Sequence, residues 1–234
     1  MRRLALALAV LTAAAFGLLE LSGARSFQLF GEVVSAGPPD RPVVALTFDD
    51  GPTARHTPAL LRTLAEADVR ATFFLMGEAM EQTPDMARDI AAVGHQIGSH
   101  SWDHPRMILM SPGAVRSQIT RTAAAIRAAG FDGDIAFRPP YGKKLVVLPW
   151  VLHRMDRPSV MWSMAPEDAL APDAPPEALA QYVIDSARPG DIILLHGMYN
   201  TNARTRAALP DMLAGLQARG FKFVTLDALT GAAR

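Results

Sequence analysis

Four short stretches hold most of the side chains able to do chemistry. Thr47-Phe48-Asp49-Asp50-Gly51-Pro52 sets two adjacent carboxylates before a Gly-Pro turn. Neighbouring strand residues point to opposite faces, so the pair does two different jobs unless the backbone turns between them. Ser99-His100-Ser101-Trp102-Asp103-His104-Pro105 carries imidazoles at i and i+4, which converge on one metal if the segment makes a helical turn. Arg138-Pro139-Pro140-Tyr141-Gly142 is a stiff loop that fixes an arginine and a tyrosine, and Leu194-Leu195-His196-Gly197 ends an apolar run on a histidine. Each stretch alone also reads as ordinary structure: a solvated Asp-Gly turn, loop histidines, a rigid turn, a rim histidine. Together, a carboxylate and two histidines can close a His-His-Asp site with room for water, the ligand set of a hydrolytic metal centre.

All four stretches follow apolar runs of strand length. The strand candidates are Val43–Phe48, Ala71–Met76, Gln96–Ser99, Ile135–Phe137, Ser159–Trp162, Asp191–Leu195 and Phe221–Leu226. Helix-length segments separate them: Pro58–Asp68, Asp85–Val93, Gly113–Ala129, Leu145–Met155, Pro176–Ala187 and Arg204–Arg219. Thr57-Pro58, Thr83-Pro84 and Ser111-Pro112 read as N-caps followed by proline in the first turn. Continuous apolar runs mark strands buried on both faces, hence a parallel sheet, and the alternation gives an α/β barrel or a doubly wound sheet. In either, chemistry collects at the C-terminal ends of the strands, where these four stretches fall. Among the other histidines, His56 reads as solvated, His95 as serving a turn and His153 as packed.

Composition narrows the function classes. The 234 residues carry 23 basic and 23 acidic side chains, a balance that argues against a nucleic-acid surface, and 50% hydrophobic content excludes disorder. With no cysteine, any metal must be held by His, Asp or Glu. Arg2-Arg3 precedes an apolar run from Leu4 to Leu19, and Ser22-Gly23-Ala24 supplies small residues for cleavage. Residues 1–24 therefore read as an export signal, or as an uncleaved N-terminal anchor, placing the protein in the periplasm or outside the cell. Residues 25–42, with Gly37-Pro38-Pro39, read as a linker, and 43–234 as one domain.

The order TFDDGP, HSWDHP, RPPYG and LLH, running from Val43 to Leu226, resembles the polysaccharide deacetylase family, the NodB-homology domain of carbohydrate esterase family 4. The resemblance implies a distorted (β/α)7 barrel and a divalent metal. By motif, Asp49 matches the base, Asp50, His100 and His104 the metal ligands, and Arg138 the arginine that orients the base. Tyr141 matches the oxyanion-holding residue, Leu194 the lining of the acetyl-methyl pocket, and His196 the general acid. The family's Asp-x-x-Asp-Trp element falls on Ala165 to Ala169, with both the first Asp and the Trp replaced by alanine. Asp168 survives there and matches the carboxylate that tunes the acid histidine. Two nitrogens and one oxygen suit Zn2+, with Co2+, Ni2+ or Fe2+ also fitting.

The implied reaction is removal of N-acetyl groups from an N-acetylated glycan, with peptidoglycan or another envelope or surface polysaccharide as the substrate candidate. Two alternatives stay open: a catalytically weak glycan-binding protein on the same fold, or a deacylase acting on an O-acetyl ester or small amide. No nucleic-acid partner is expected, and membrane contact only through an uncleaved N-terminus.

Overall fold

The computed structural model describes residues 2–231. In chain order its strands are β1 (Val33–Val34), β2 (Val43–Asp49), β3 (Thr72–Leu75), β4 (Gln96–Ser99), β5 (Ser159–Val160), β6 (Ile192–His196) and β7 (Lys222–Val224). The helices are α1 (Arg2–Ser22), α2 (Thr57–Glu66), α3 (Gly77–Gln82), α4 (Pro84–Ala92), α5 (Pro112–Ala128), α6 (Val147–Arg154), α7 (Pro166–Ala169), α8 (Pro176–Ser186), α9 (Ala203–Ala218) and α10 (Leu226–Thr230).

Every residue of β2, β3 and β4 is buried, as continuous apolar runs require of strands covered on both faces. β2 pairs in parallel with β6, with β3 and, along its N-terminal half, with β7, while β3 continues to β4. Single parallel bridges complete the circuit: Ser99 to Phe137, Phe137 to Ser159, and Met164 to Ile193. The architecture is α/β, a ring of parallel strands drawn out of round into a distorted barrel. Its core stacks Phe48 on Phe73 at 5.3 Å and receives Leu60, Ile90, Leu179 and Leu209 from the surrounding helices. Each such buried side chain contributes roughly 1.5–3 kcal/mol.

Several elements differ from the sequence reading. The strand expected at Ile135–Phe137 is reduced to bridging by Phe137, because Pro139 and Pro140 remove the donors that would extend it. Short helices α3, α7 and α10 carry too few turns to show a period. Ser111 caps α5 by accepting the Ala114 N–H at 3.3 Å. Thr57 instead lies inside α2, its hydroxyl accepting from the Thr53 N–H, and Thr83 donates back to Ala79. His153, read as packed, is exposed on α6.

The largest departure concerns residues 25–42, read as a linker. They contain β1, which pairs with β5, and Glu32 and Val34 accept backbone hydrogen bonds from Ser159 and Met161. Without β1 that side of β5 would be an unpaired edge. Further back, the Lys144 N–H donates to the Ser22 carbonyl at 2.7 Å, and the buried Lys144 ammonium donates to the Ala24 carbonyl. The packed domain thus begins well before Pro42. α1 covers the segment read as a signal or anchor; among the described residues no helix is long and apolar enough to cross a membrane.

Candidate active site

Because β2, β4 and β6 are parallel, the loops that follow them open at the same end of the barrel. After β2 the chain turns through left-handed backbone at Asp50 (φ 71°) and Gly51 (φ 62°). That turn cancels the strand alternation and brings both carboxylates to one imidazole. His100 Nε2 lies 3.7 Å from Asp49 Oδ2 and 3.7 Å from Asp50 Oδ1.

The histidine pair converges without the helical turn expected of it. Ser101 (φ 68°) and His104 (φ 58°) are left-handed, a conformation that costs roughly 1–3 kcal/mol per non-glycine residue. Neighbouring bonds hold it. The His104 N–H donates to Ser101 Oγ at 3.1 Å, and Gln118 of α5 accepts from the Trp102 N–H at 2.7 Å while donating to Asp103. The Trp102 ring sits 3.8 Å from the Arg121 guanidinium carbon and closes on Gly77, where an added Cβ would run into it. Thus α3 and α5 set the loop, and the loop sets the two imidazoles.

Asp50, His100 and His104 each offer an atom, and the three atoms lie within 4.8 Å of one another. The two Nε2 atoms are 3.2 Å apart, and His104 Nε2 is 3.4 Å from Asp50 Oδ1. Among the described residues Asp50 Oδ1 is buried with no hydrogen-bond partner, an acceptor whose desolvation only a cation or a new donor would offset. His100 Nδ1 lies 2.9 Å from the Arg138 carbonyl, which fixes its proton on Nδ1 and leaves the Nε2 lone pair toward Asp50. Burial, and after it the neighbouring His100, lower the His104 pKa and favour the neutral, ligating form. These residues fit a divalent cation.

Asp49, 3% exposed, is gripped by the fully buried Arg138, whose Nη1 donates to Asp49 Oδ1 at 2.6 Å and to Thr47 Oγ1 at 2.8 Å. Arg138 Nη2 donates to the Met161 carbonyl, while Nε has no partner among the described residues. Burial works against the guanidinium charge and lowers its pKa, and Asp49 offsets that only in part. The stiff Pro-Pro loop therefore points its arginine inward, not to solvent. Tyr141 takes left-handed backbone (φ 56°) beside His104, with ring centroids 4.5 Å apart. Leu194 is buried on β6, paired in register with Thr47.

His196 ends β6 directly across the ladder from Asp49. Its carboxylate partner is Glu167, not Asp168. His196 Nδ1 is 2.5 Å from Glu167 Oε2, and the His196 N–H donates to Oε1 at 3.1 Å. Thr205 of α9 donates to the same Oε1. Asp168 is exposed. The Leu194 N–H bonds the Met164 carbonyl at 2.9 Å, so the chain enters α7 against β6. The first acidic side chain of α7 then faces the barrel, and the next is carried about 100° round the turn into water. Burial alone would lower the His196 pKa, but the Glu167 hydrogen bond and the charges of Asp49, Glu167 and Asp50 outweigh it and push it up to about 9.

Sequence reasoning gave no role to Thr47, although it opens the TFDDGP stretch, and missed Gln118 and Thr205, which act through others and carry no motif of their own. His95 is buried, accepts the Ala71 N–H at 3.2 Å and packs on Phe73, away from the ligand cluster.

A sequence profile described as polysaccharide deacetylase matches residues 36–158. The chain is 37% identical over 188 residues to the peptidoglycan-N-acetylglucosamine deacetylase PgdA of Listeria monocytogenes, a match covering 80% of this chain and 39% of that protein. It thus spans well under half of that relative's length. It is 34% identical over 197 residues to a peptidoglycan-N-acetylglucosamine deacetylase of Bacillus cereus, covering 83% of this chain and 70% of the other. Among solved structures, a peptidoglycan N-acetylglucosamine deacetylase in complex with an N-hydroxybenzamide superposes with a TM-score of 0.78 at 33% identity, covering 85% of this chain and 92% of that one.

Proposed function

The chain belongs to the polysaccharide deacetylase family, and from that premise we propose that it is a metal-dependent hydrolase removing N-acetyl groups from a glycan of the cell envelope or surface. The observation that carries this reading is the convergence of Asp50, His100 and His104 beside a second, separately held carboxylate, Asp49.

In this reading Asp50, His100 and His104 hold the cation, with Zn2+ the best match to two imidazoles and a carboxylate. Bound there, it supplies Lewis-acid chemistry, making water acidic and polarising an acyl carbonyl. Asp49 is the base. Arg138 and Thr47 fix its orientation, and Oδ2, turned toward His100, accepts the proton of the attacking water. Tyr141 steadies the oxyanion through its backbone N–H, a contribution of about 2.7–4 kcal/mol where such donors have been removed. Leu194 lines the pocket for the acetyl methyl. The amine cannot leave as an anion, so His196 protonates it, with Glu167 holding Nδ1–H and leaving Nε2 to deliver the proton. Glu167 takes the role the family resemblance gave to Asp168. The Arg2-Arg3 pair and the apolar run after it support export.

The test is acetate release from N-acetylglucosamine oligomers by the full chain, metal-stripped and then zinc-restored, beside Asp49→Asn and His100→Ala. Release that requires zinc and fails in both variants is the expected result. Binding of oligomers without any release would instead favour a glycan-binding protein, a reading to which the alanines at 165 and 169 lend support.

A further inference from the structure

Two tyrosines neighbour the cluster of Asp50, His100 and His104. Tyr141 follows Phe137 and touches His104; Tyr199 follows β6, with its hydroxyl beside the Gly51 backbone, next to Asp50. Their rings differ in what already occupies them. Tyr141, although 52% exposed, is engaged by the His104 ring and by the Arg106 guanidinium 4.5 Å from its centroid. Tyr199 is 36% exposed, and among the described residues no ring or cation stacks on it.

Tyr199 is nevertheless held at both ends. Its N–H donates to Asn202 Oδ1 at 2.8 Å, and its carbonyl accepts from the Asn202 N–H and from Arg206 at 2.5 Å. The phenol donates to Met76 Sδ at 3.8 Å. The loop around it is tied to the loop after β2 through Thr53 to the Met198 carbonyl (2.5 Å) and His56 to Asn200 (2.6 Å). A ring fixed at backbone and tip, partly exposed and with no stacking partner among the described residues, loses little further entropy when something flat lies on it.

Resting on the deacetylase reading, we propose that Tyr199 is a specificity-determining platform that stacks on a pyranose ring of the glycan, on the Asp50 side of the metal site. The apolar C–H face of a pyranose matches the electron-rich face of an aromatic ring, while its hydroxyl edges remain in water. An acetyl group without a sugar ring beside it gains nothing from Tyr199. The platform therefore makes the enzyme select acetylated sugars over acetyl groups in general.

The experiment compares full-length wild type with Tyr199→Ala, Tyr199→Leu and Tyr199→Phe in two assays. In the first, zinc-loaded enzymes act on N-acetylglucosamine oligomers and on a small alkyl acetate. In the second, each substitution is placed in an Asp49→Asn background and oligomer binding is measured by calorimetry. The expected result is a KM and Kd for oligomers about five- to tenfold higher in Tyr199→Ala and Tyr199→Leu, the scale of one aromatic contact. kcat should stay within about twofold, Tyr199→Phe should match wild type, and the alkyl acetate should be turned over unchanged by all. Equal losses on both substrates, or Tyr199→Leu behaving as wild type, would overturn the platform and leave the deacetylase reading intact. Loss of binding in Tyr199→Ala with no acetate release by wild type would uphold the platform and sink the deacetylase reading instead.

Discussion

Replacing Glu167 by glutamine tests the acid half of the mechanism with little change in shape. Gln keeps the side-chain volume and an acceptor for Thr205, but it removes the charge facing His196. The His196 pKa stands at about 9 against an ordinary 6.5, with the Glu167 hydrogen bond the largest upward cause. At pH 7.5 a group of pKa about 9 is about 97% protonated, whereas one at about 6.5 is about 9% protonated. Losing the carboxylate should therefore cost about tenfold in kcat/KM at pH 7.5 through protonation alone, and almost nothing at pH 5.5. Some further loss follows if the amide N–H competes for Nδ1 and reverses the imidazole tautomer, within the roughly 10²–10⁴ that general acid catalysis supplies. The assay is acetate release from N-acetylglucosamine oligomers between pH 5.5 and 9.5, with Asp168→Asn as the control expected to match wild type. The alkaline limb should move down by about 2.5 pH units in Glu167→Gln. A loss equal at every pH would mean that Glu167 merely supports the fold. An unchanged profile, or a larger effect from Asp168→Asn, would refute the assignment.

Stability should bend with pH on two sides. The His95 pKa is lowered to about 4 by burial and then by Arg70, so its contribution is complete above about 6.5 and lost as pH falls through 4; the total is about 3 kcal/mol. Thermal melts of metal-stripped protein should show that acid limb, and His95→Gln should flatten it. For His196, raised to about 9, the contribution is complete below about 6.5 and lost as pH rises through 9, so Glu167→Gln should flatten the alkaline limb. Asp50→Asn should weaken zinc binding by more than the 10–100-fold typical of losing an outer partner, read by competition with a chelating dye. Gly77→Ala pushes a methyl into the Trp102 ring and should cost about 1–3 kcal/mol. A lowered Tm should then accompany weaker metal affinity, because the same ring anchors the His100–His104 loop; a lower Tm with unchanged affinity would separate the two.

What the sequence made legible, and what it did not, follows from where the information lies. Buried parallel strands announce themselves because both faces are apolar, so β2, β3, β4 and β6 fall close to their expected spans. Phe137 and β1 do not, since a one- or two-residue pairing has no period and exists only because a neighbouring strand offers an edge. Residue types and spacing allowed a His-His-Asp site, and the family resemblance assigned it to Asp50, His100 and His104, yet the helical turn through which that spacing would converge the imidazoles is not the geometry adopted. Spacing fixes how far apart two side chains can reach; it does not say that left-handed backbone at Ser101 and His104, stabilised from α3 and α5, does the turning. Glu167 shows the same limit at finer scale. A motif written as a carboxylate at a fixed offset assumes that the backbone around it is unchanged. In this chain α7 opens at Pro166, and the side chain that meets β6 is the one before Asp168. Within one helical turn, a shift of a single residue separates a half-buried partner of His196 from a solvated surface charge, and only tertiary contact decides between them.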